Sequence, residues 1–480
     1  MSQILRRLYA LVWGAPTLVL ILGTGLYLSI RTGFVQLRLF PEAAGSFLRR
    51  LRPGKKHPGQ VTSFQALCTA LAATVGTGNL AGVAGAIAIG GPGAIFWMWV
   101  CGILGMVIKL AEAALSVRFR VESSGEYLGG PMYMIRQGMD RKWLPMAALY
   151  SFFGIVAALG VGNATQINAV ITGIHDCISA FGGVPSVRLD WLLGLGMAAV
   201  VLVLFLGGSG RIGKAAELLV PFAAVSYLLL GTAVLFLRAE AIPGAFGAII
   251  RGAFSPAAVT GGVTGSFLST LRIGISRGVF TNEAGMGTAG IAHAGAQVRH
   301  PVEQGLMGIM EVFLDTIVIC TITALVILCS GVPIPYGTDT GVELTMEGFA
   351  AVAGDWTRVF ITASLCLFAF ATVLGWGLYG ARCAQYLFGP GAWKSFAWLQ
   401  GVTVLLGTLL NTGTVWLLAE IVNGLMAIPN LIALIALSSE LRRLITDYKK
   451  PGNCAGGGRL CKFPSTQTAA SRHLCGNSTP

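Results

Sequence analysis

The stretch Ala73–Val83, ATVGTGNLAGV, sets Gly76, Gly78 and Gly82 around a Thr-Gly-Asn in the middle of an otherwise apolar run, 63–89. Glycine gives up more backbone freedom in a helix than any other residue, so three this close predict a break in the helix. Hydrocarbon offers no hydrogen bonds, and freed backbone is tolerated at membrane depth only where it is buried in protein or lines a cavity. A second stretch, AFSPAAVTGGVTG over Ala253–Gly265, puts Pro256, Gly261, Gly262 and Gly265 inside the run 244–275 and reads the same way. Either cluster alone is compatible with glycines that merely let helices approach closely. Two clusters at corresponding positions of two halves point instead to a transporter site built from inverted repeats.

The rest of the chain supplies those halves. Apolar runs at 9–30, 63–89, 93–117, 146–175, 190–207, 213–237, 244–275, 301–331, 357–387, 393–411 and 414–438 are each of the length that crosses a bilayer. They predict an all-α polytopic membrane protein of about eleven transmembrane helices. Spans 2–6 and 7–11 form two sets of five, each opening with its interrupted helix. An odd number of spans separates the two openings, so the sets enter the membrane from opposite faces. The expected organisation is an N-terminal helix and basic loop (1–62), a first five-helix repeat (63–237), a second (238–440) and a tail (441–480).

Composition excludes the other classes. Only 11% of the 480 residues are charged and mean hydropathy is +0.74, against about 25% charged in soluble domains. A soluble enzyme, a disulfide module and a disordered chain are ruled out. The net charge of +13 lies mostly in loops on one side, which by the positive-inside rule puts the N-terminus outside and the C-terminus in the cytoplasm. That distribution calls for membrane lipids and no nucleic acid, and no obligate protein partner is predicted. Beyond Lys449 the composition turns to Gly, Ser, Thr and Asn with no apolar period, as in a disordered tail. The cysteines form no CxxC, no HExxH exists, and GTGNLAG has neither the spacing nor the strand of a dinucleotide fingerprint. No catalytic cluster is present, so an enzyme is not predicted.

Four segments in this order resemble the alanine or glycine:cation symporters, also called the sodium:alanine symporters: FQALCTALAATVGTGNLAGVAGAIAIGGPGAIFWMWV (64–100), GNATQINAV (162–170), RGVFTNEAGMGTA (277–289) and FATVLGWGLYG (370–380). The likeness runs from Gln3 to about Asp447. It implies a leucine-transporter-type fold with an extra leading helix, in a cell inner membrane, and uptake of small neutral amino acids such as alanine and glycine coupled to Na⁺. A H⁺-coupled symporter, or a substrate-gated channel or sensor on the same scaffold, are the competing readings.

The resemblance also assigns roles. A zwitterion needs donors for its carboxylate and acceptors for its ammonium, which opposed half-helices supply. Thr77, Gly78 and Asn79 are expected to face the carboxylate, with Phe254, Gly261 and Gly262 opposite. Gln166 contacts substrate on the family pattern, and Trp376 closes the side-chain pocket. Sodium favours oxygen ligands. In related folds it lies where Ala72 and Val75 carbonyls approach Thr372, whose hydroxyl could equally bond its own helix. Lys109 and Glu112, three apart, are expected to pair locally. Glu311 and Asp315, four apart on one helix, are candidates for a proton or gating step. Glu283 is placed in a cytoplasmic loop as an inner gate with Arg272 or Arg277.

Overall fold

A helix that is apolar on every side has no face to give to water, and the longest helices of this chain are of that kind. The computed structural model describes residues 2–51, 61–123, 125–256, 260–261, 266–338, 340–408 and 412–450. Helices α1 (Ser2–Val12), α2 (Ala15–Thr32), α3 (Val35–Arg38) and α4 (Phe40–Arg50) lead into a broken span. Its first half, α5 (Ser63–Thr74), starts at a capping box in which Thr62 and Gln65 satisfy each other's backbone N–H. The chain leaves the helix at Val75, passes through a widened turn at Gly78–Gly82, and resumes as α6 (Val83–Gly90), bent by 53°.

Next come α7 (Gly93–Arg118), a two-stranded antiparallel hairpin β1 (Val121–Ser123) and β2 (Glu126–Leu128), and α8 (Pro131–Gly138). Helix α9 (Leu144–Leu159) runs through a wide turn, Gly160–Ala164, into α10 (Thr165–Ala180), followed by α11 (Val187–Leu206), α12 (Ser209–Leu237) and α13 (Ile242–Phe254). Helices α14 (Phe267–Asn282) and α15 (Thr288–Ala294) make a second broken pair. After them, α16 (Pro301–Val312) passes through a wide turn, Phe313–Ile319, into α17 (Cys320–Cys329). The chain closes with α18 (Glu343–Ala353), α19 (Trp356–Phe388), α20 (Ala392–Gly407), α21 (Thr412–Ala436) and α22 (Ser438–Tyr448).

Among the described residues, six helices are long and apolar enough to cross a membrane, or eight when each bent pair counts as one span. Two-thirds of the apolar windows of α7 and α19 are buried against other helices, whereas only 28% of those of α11 and α12 are. Leu192, Leu218, Phe222 and Phe236 point outward from that flank, an apolar surface suited to lipid rather than water. The chain is therefore a multi-pass, mostly helical membrane protein. The small hairpin is an addition to the all-α expectation. The stretch assigned to the tail from 441 is helical as far as Tyr448, and the tail from Pro451 lies outside the described residues.

One expectation is corrected by the packing. The chain does leave its helix after Phe254, and Gly261 is left-handed at φ +64°. That interruption sits at the N-terminal end of α7, where Gly93 meets the backbone of Gly252 and Ala253 and Phe254 joins Phe96, Trp97 and Phe267. It does not face the break after Thr74. The segment that does is Glu283–Gly287: α14 packs on α6 and the widened turn before it, and α15 packs on α5. Glu283, Gly285 and Gly287 all have positive φ (53°, 96° and 79°), a conformation that stops a right-handed helix. The glutamate made this segment read as a loop in water, whereas it is buried.

The close approach at Gly93 gives a stability test. A Cβ there would lie 2.1–2.3 Å from backbone atoms of Gly252 and Ala253, which cannot rotate away. Gly93→Ala is expected to cost about 1–3 kcal/mol and to lower the melting temperature of the detergent-purified protein. Gly196→Ala, with open space around it, should leave that temperature unchanged or slightly raised; equal losses would refute the packing.

Candidate functional site

In an unbroken helix Gly76 N–H would bond the Ala72 carbonyl. Here it donates to Asn79 Oδ1 at 2.9 Å, which releases that carbonyl. Asn79, fully buried, uses its amide to donate to Asp315 Oδ1 (2.8 Å), the Asp315 carbonyl (3.3 Å) and Cys320 Sγ (3.3 Å). The side chain expected to face a carboxylate is thus spent on shaping the break and tying it to the wide turn after α16. Thr77 Oγ1 donates to Gln166 Oε1 at 3.3 Å, and Gln166 Nε2 donates to the Val161 carbonyl. Gly78 packs against Thr281 of α14.

The second break is satisfied by four other helices. Glu112 of α7 accepts from the backbone N–H of Gly285 (2.9 Å) and Gly287 (3.0 Å) and from Asn430 Nδ2 of α21 (2.8 Å), all on Oε1. Asn430 also donates to the Gly285 carbonyl, and Tyr150 of α9 donates to that of Met286. Glu283 accepts from Trp376 Nε1 of α19 (2.7 Å) and Thr288 Oγ1 (2.8 Å). Its carboxylate therefore meets an indole and a hydroxyl, not Arg272 or Arg277, and it is no part of a surface ion pair.

Helix α19 runs past both breaks. Gly375 lies against Ala73, and a Cβ on Gly76 would come within 2.7 Å of Thr372 Oγ1 and 3.7 Å of Gln166 Oε1. One turn further, Trp376 fills the space left by the missing side chain of Gly162, where a Cβ would be 2.1 Å from its own. Thr372 Oγ1 donates to the Phe368 carbonyl at 3.0 Å and keeps its oxygen lone pairs for another partner. Ala72, Val75, Thr77, Gln166, Thr372, Trp376 and Glu283 thus gather around the two breaks. Phe254 does not: it is 56% exposed in its aromatic group. Gly261 is also exposed, with open space around it, and Gly262 lies outside the described residues.

Charge at this depth is paired across helices rather than along them. Lys109 reaches Glu311 Oε1 at 2.8 Å, both side chains fully buried, which corrects the expected Lys109–Glu112 pair. Glu311 Oε2 meets His293 Nε2 at 3.1 Å, His293 Nδ1 meets Gln304 Nε2, and Ser63 Oγ donates to Gln304 Oε1. Asp315, one helical turn from Glu311, is bonded by Asn79 and Thr316. Sequence reading missed Glu112, Asn430 and Tyr150 as partners of the second broken segment. The available signal was polar side chains inside apolar runs, each of which needs a bond there.

Chemically, the first break opens the carbonyl end of one half-helix beside the N–H end of the next, with hydroxyl and amide oxygens between them. Cations favour the first and carboxylates the second. The profile of the sodium:alanine symporter family matches residues 1–455. A protein named sodium/alanine symporter AgcS from Methanococcus maripaludis is 42% identical over 432 residues, 89% of this chain and 92% of that one. A probable sodium/glutamine symporter GlnT from Bacillus subtilis is 36% identical, over 94% and 92%. Among solved structures, that of MhsT in complex with L-phenylalanine covers 82% of this chain and 99% of its own, at 14% identity and a TM-score of 0.55. The two share the leucine-transporter-type fold.

Removing the indole donor isolates one of these bonds. Trp376→Phe leaves a buried carboxyl oxygen short of its partner, at a cost of about 1–3 kcal/mol. Trp393→Phe loses only the bond from a half-buried indole to the Phe205 carbonyl, about 0.5–1.5 kcal/mol. Thermal melting of the two variants should show the larger drop for Trp376→Phe; the reverse order would contradict the assignment.

Proposed function

Because the chain belongs to the sodium:alanine symporter family, we propose that it imports small neutral amino acids, alanine and glycine, by Na⁺ symport through alternating access. That it is an amino-acid symporter and not an enzyme follows from the family itself. The observation that carries the finer reading is the meeting of two helix breaks, Val75–Thr77 and Glu283–Gly287, with Gln166, Thr372 and Trp376 between them. In this reading the amino-acid carboxylate lies toward the N–H groups of Thr77, Gly78 and Asn79. Sodium takes the Ala72 and Val75 carbonyls with Thr372 Oγ1, a hard-oxygen set. Trp376, wedged over Gly162, keeps the side-chain pocket small, which suits alanine and glycine better than the substrate in the name of the glutamine relative.

The helices group as eleven spans: α2, α5–α6, α7, α9–α10, α11, α12, α14–α15, α16–α17, α19, α20 and α21. Spans 2–6 and 7–11 are then inverted repeats, each opening with a broken helix, and the opening pair rocks against the rest to expose the site on either face in turn. The basic loops assign the N-terminus to the outside and the C-terminus to the cytoplasm of an inner membrane. Na⁺ and amino acid each raise the other's affinity by the same factor, as linkage requires.

Uptake of labelled alanine into proteoliposomes tests this. A Na⁺ gradient should drive accumulation, and a H⁺ gradient alone should not. Thr372→Ala is expected to raise the Na⁺ concentration for half-maximal uptake by about tenfold, the effect of roughly 1.4 kcal/mol, without changing the order of preference among alanine, glycine and serine. An unchanged Na⁺ requirement would remove Thr372 from the cation site, and accumulation driven by H⁺ alone would move the coupling to a titratable group such as Asp315 or Glu311.

A further inference from the structure

Three elements that line the two breaks run on, about two turns away, into the wall of a separate cavity of about 50 Å³. Thr69 lies six residues before Val75 on α5, and Arg382 six residues after Trp376 on α19, each about 9 Å along its helix. Ile291 of α15 follows Gly287 by four. Between them the first residue of β2 brings in Glu126, and the first of α12 brings in Ser209. The cavity is on the face that carries the basic loops.

Its polar contents include one acid, one base and one hydroxyl, bonded to one another. Arg382 Nη2 meets Glu126 Oε2 at 2.8 Å, and Ser209 Oγ donates to Glu126 Oε1 at 2.6 Å. Arg382 is held independently of that partner: Nη1 donates to Gln385 Oε1 at 2.9 Å and the guanidinium lies 5.1 Å over the Trp393 ring. Glu126 is the movable member. It is 44% exposed against 10% for Arg382, and it rides on strands of three residues, a hairpin too small to be rigid by itself. The Glu126 side of the pair is open to water, so another carboxylate can reach Arg382 as Glu126 swings away. Burial alone would push the Glu126 carboxyl up, but the Arg382 charge and the hydrogen bonds from Ser209 and Arg382 together hold it below the ordinary carboxylate range.

We propose that this cavity is a release station on the inner path, where the departing amino acid opens the Glu126–Arg382 contact and places its carboxylate on Arg382 and its ammonium on Glu126. The inference rests on the symporter reading above and adds a second, transient ligand site to it. The station recognises the two charges and not the side chain, as a site on an exit path should.

Exchange of labelled alanine across proteoliposomes, with alanine or propionate titrated on the inner face, tests it. Propionate has the carboxylate and lacks the ammonium. In the unaltered protein inner alanine should compete better than propionate. Glu126→Gln removes both the partner of the ammonium and the carboxylate that competes for Arg382, so propionate should compete better and the preference for alanine over propionate should fall about tenfold, as losing one charged contact does. Arg382→Gln should weaken both together, Arg382→Lys should keep the original ratio, and the swap E126R/R382E should restore alanine. An alanine-to-propionate ratio that stays constant through all these variants would reduce the pair to a simple latch and overturn the station. Absence of Na⁺-driven alanine uptake in the unaltered protein would instead overturn the symporter reading.

Discussion

Backbone groups released inside a membrane must find partners within the protein, and this fold is arranged around two places where that demand is met. At the first break, Asn79 bonds the freed N–H of Gly76 and fastens the turn to Asp315. At the second, Glu112, Asn430 and Tyr150, from three separate helices, bond the backbone of Gly285, Met286 and Gly287. The cost of leaving any of these groups unpaired is what fixes α7, α9, α19 and α21 around the centre. The lipid-facing helices α11 and α12 carry no such duty.

Buried charge follows the same logic on a larger scale. Lys109, Glu311, His293, Gln304 and Ser63 form one connected chain across α7, α16, α15 and α5. A lone lysine or glutamate at zero exposure would be very costly, whereas a fully bonded series is tolerated and sets the register of the helices that share it. It links the short half-helix α15, beyond the second break, to the start of α5, before the first. The half-helices α5 and α15 are thereby joined by polar bonds through α16.

The first break and the membrane class were legible in the sequence because each leaves a local mark, glycines in an apolar run or long stretches without charge, whereas Gln166, Thr372 and Trp376 were singled out through the family resemblance. The second break was placed at Ala253–Gly265, where Pro and Gly cluster, instead of Glu283–Gly287. A glutamate in a short glycine segment looks like solvent-exposed loop, and nothing local reveals that Trp376, 93 residues away, supplies its partner. Lys109 was misjudged for a related reason. A residue three positions along the same helix is visible in sequence, while Glu311 on another helix is not. Local breaks can be read from one chain; what satisfies them is a tertiary fact.

The central claim is that the ligand lies between Val75–Thr77 and Glu283–Gly287. A high-resolution structure of the protein with alanine and Na⁺ bound is its most direct measurement. The account predicts density for alanine between those two segments, beside Gln166 and Trp376, with a cation touching the Ala72 carbonyl and Thr372 Oγ1. Alanine resting instead against the Phe254–Gly261 interruption at the end of α7 would contradict it.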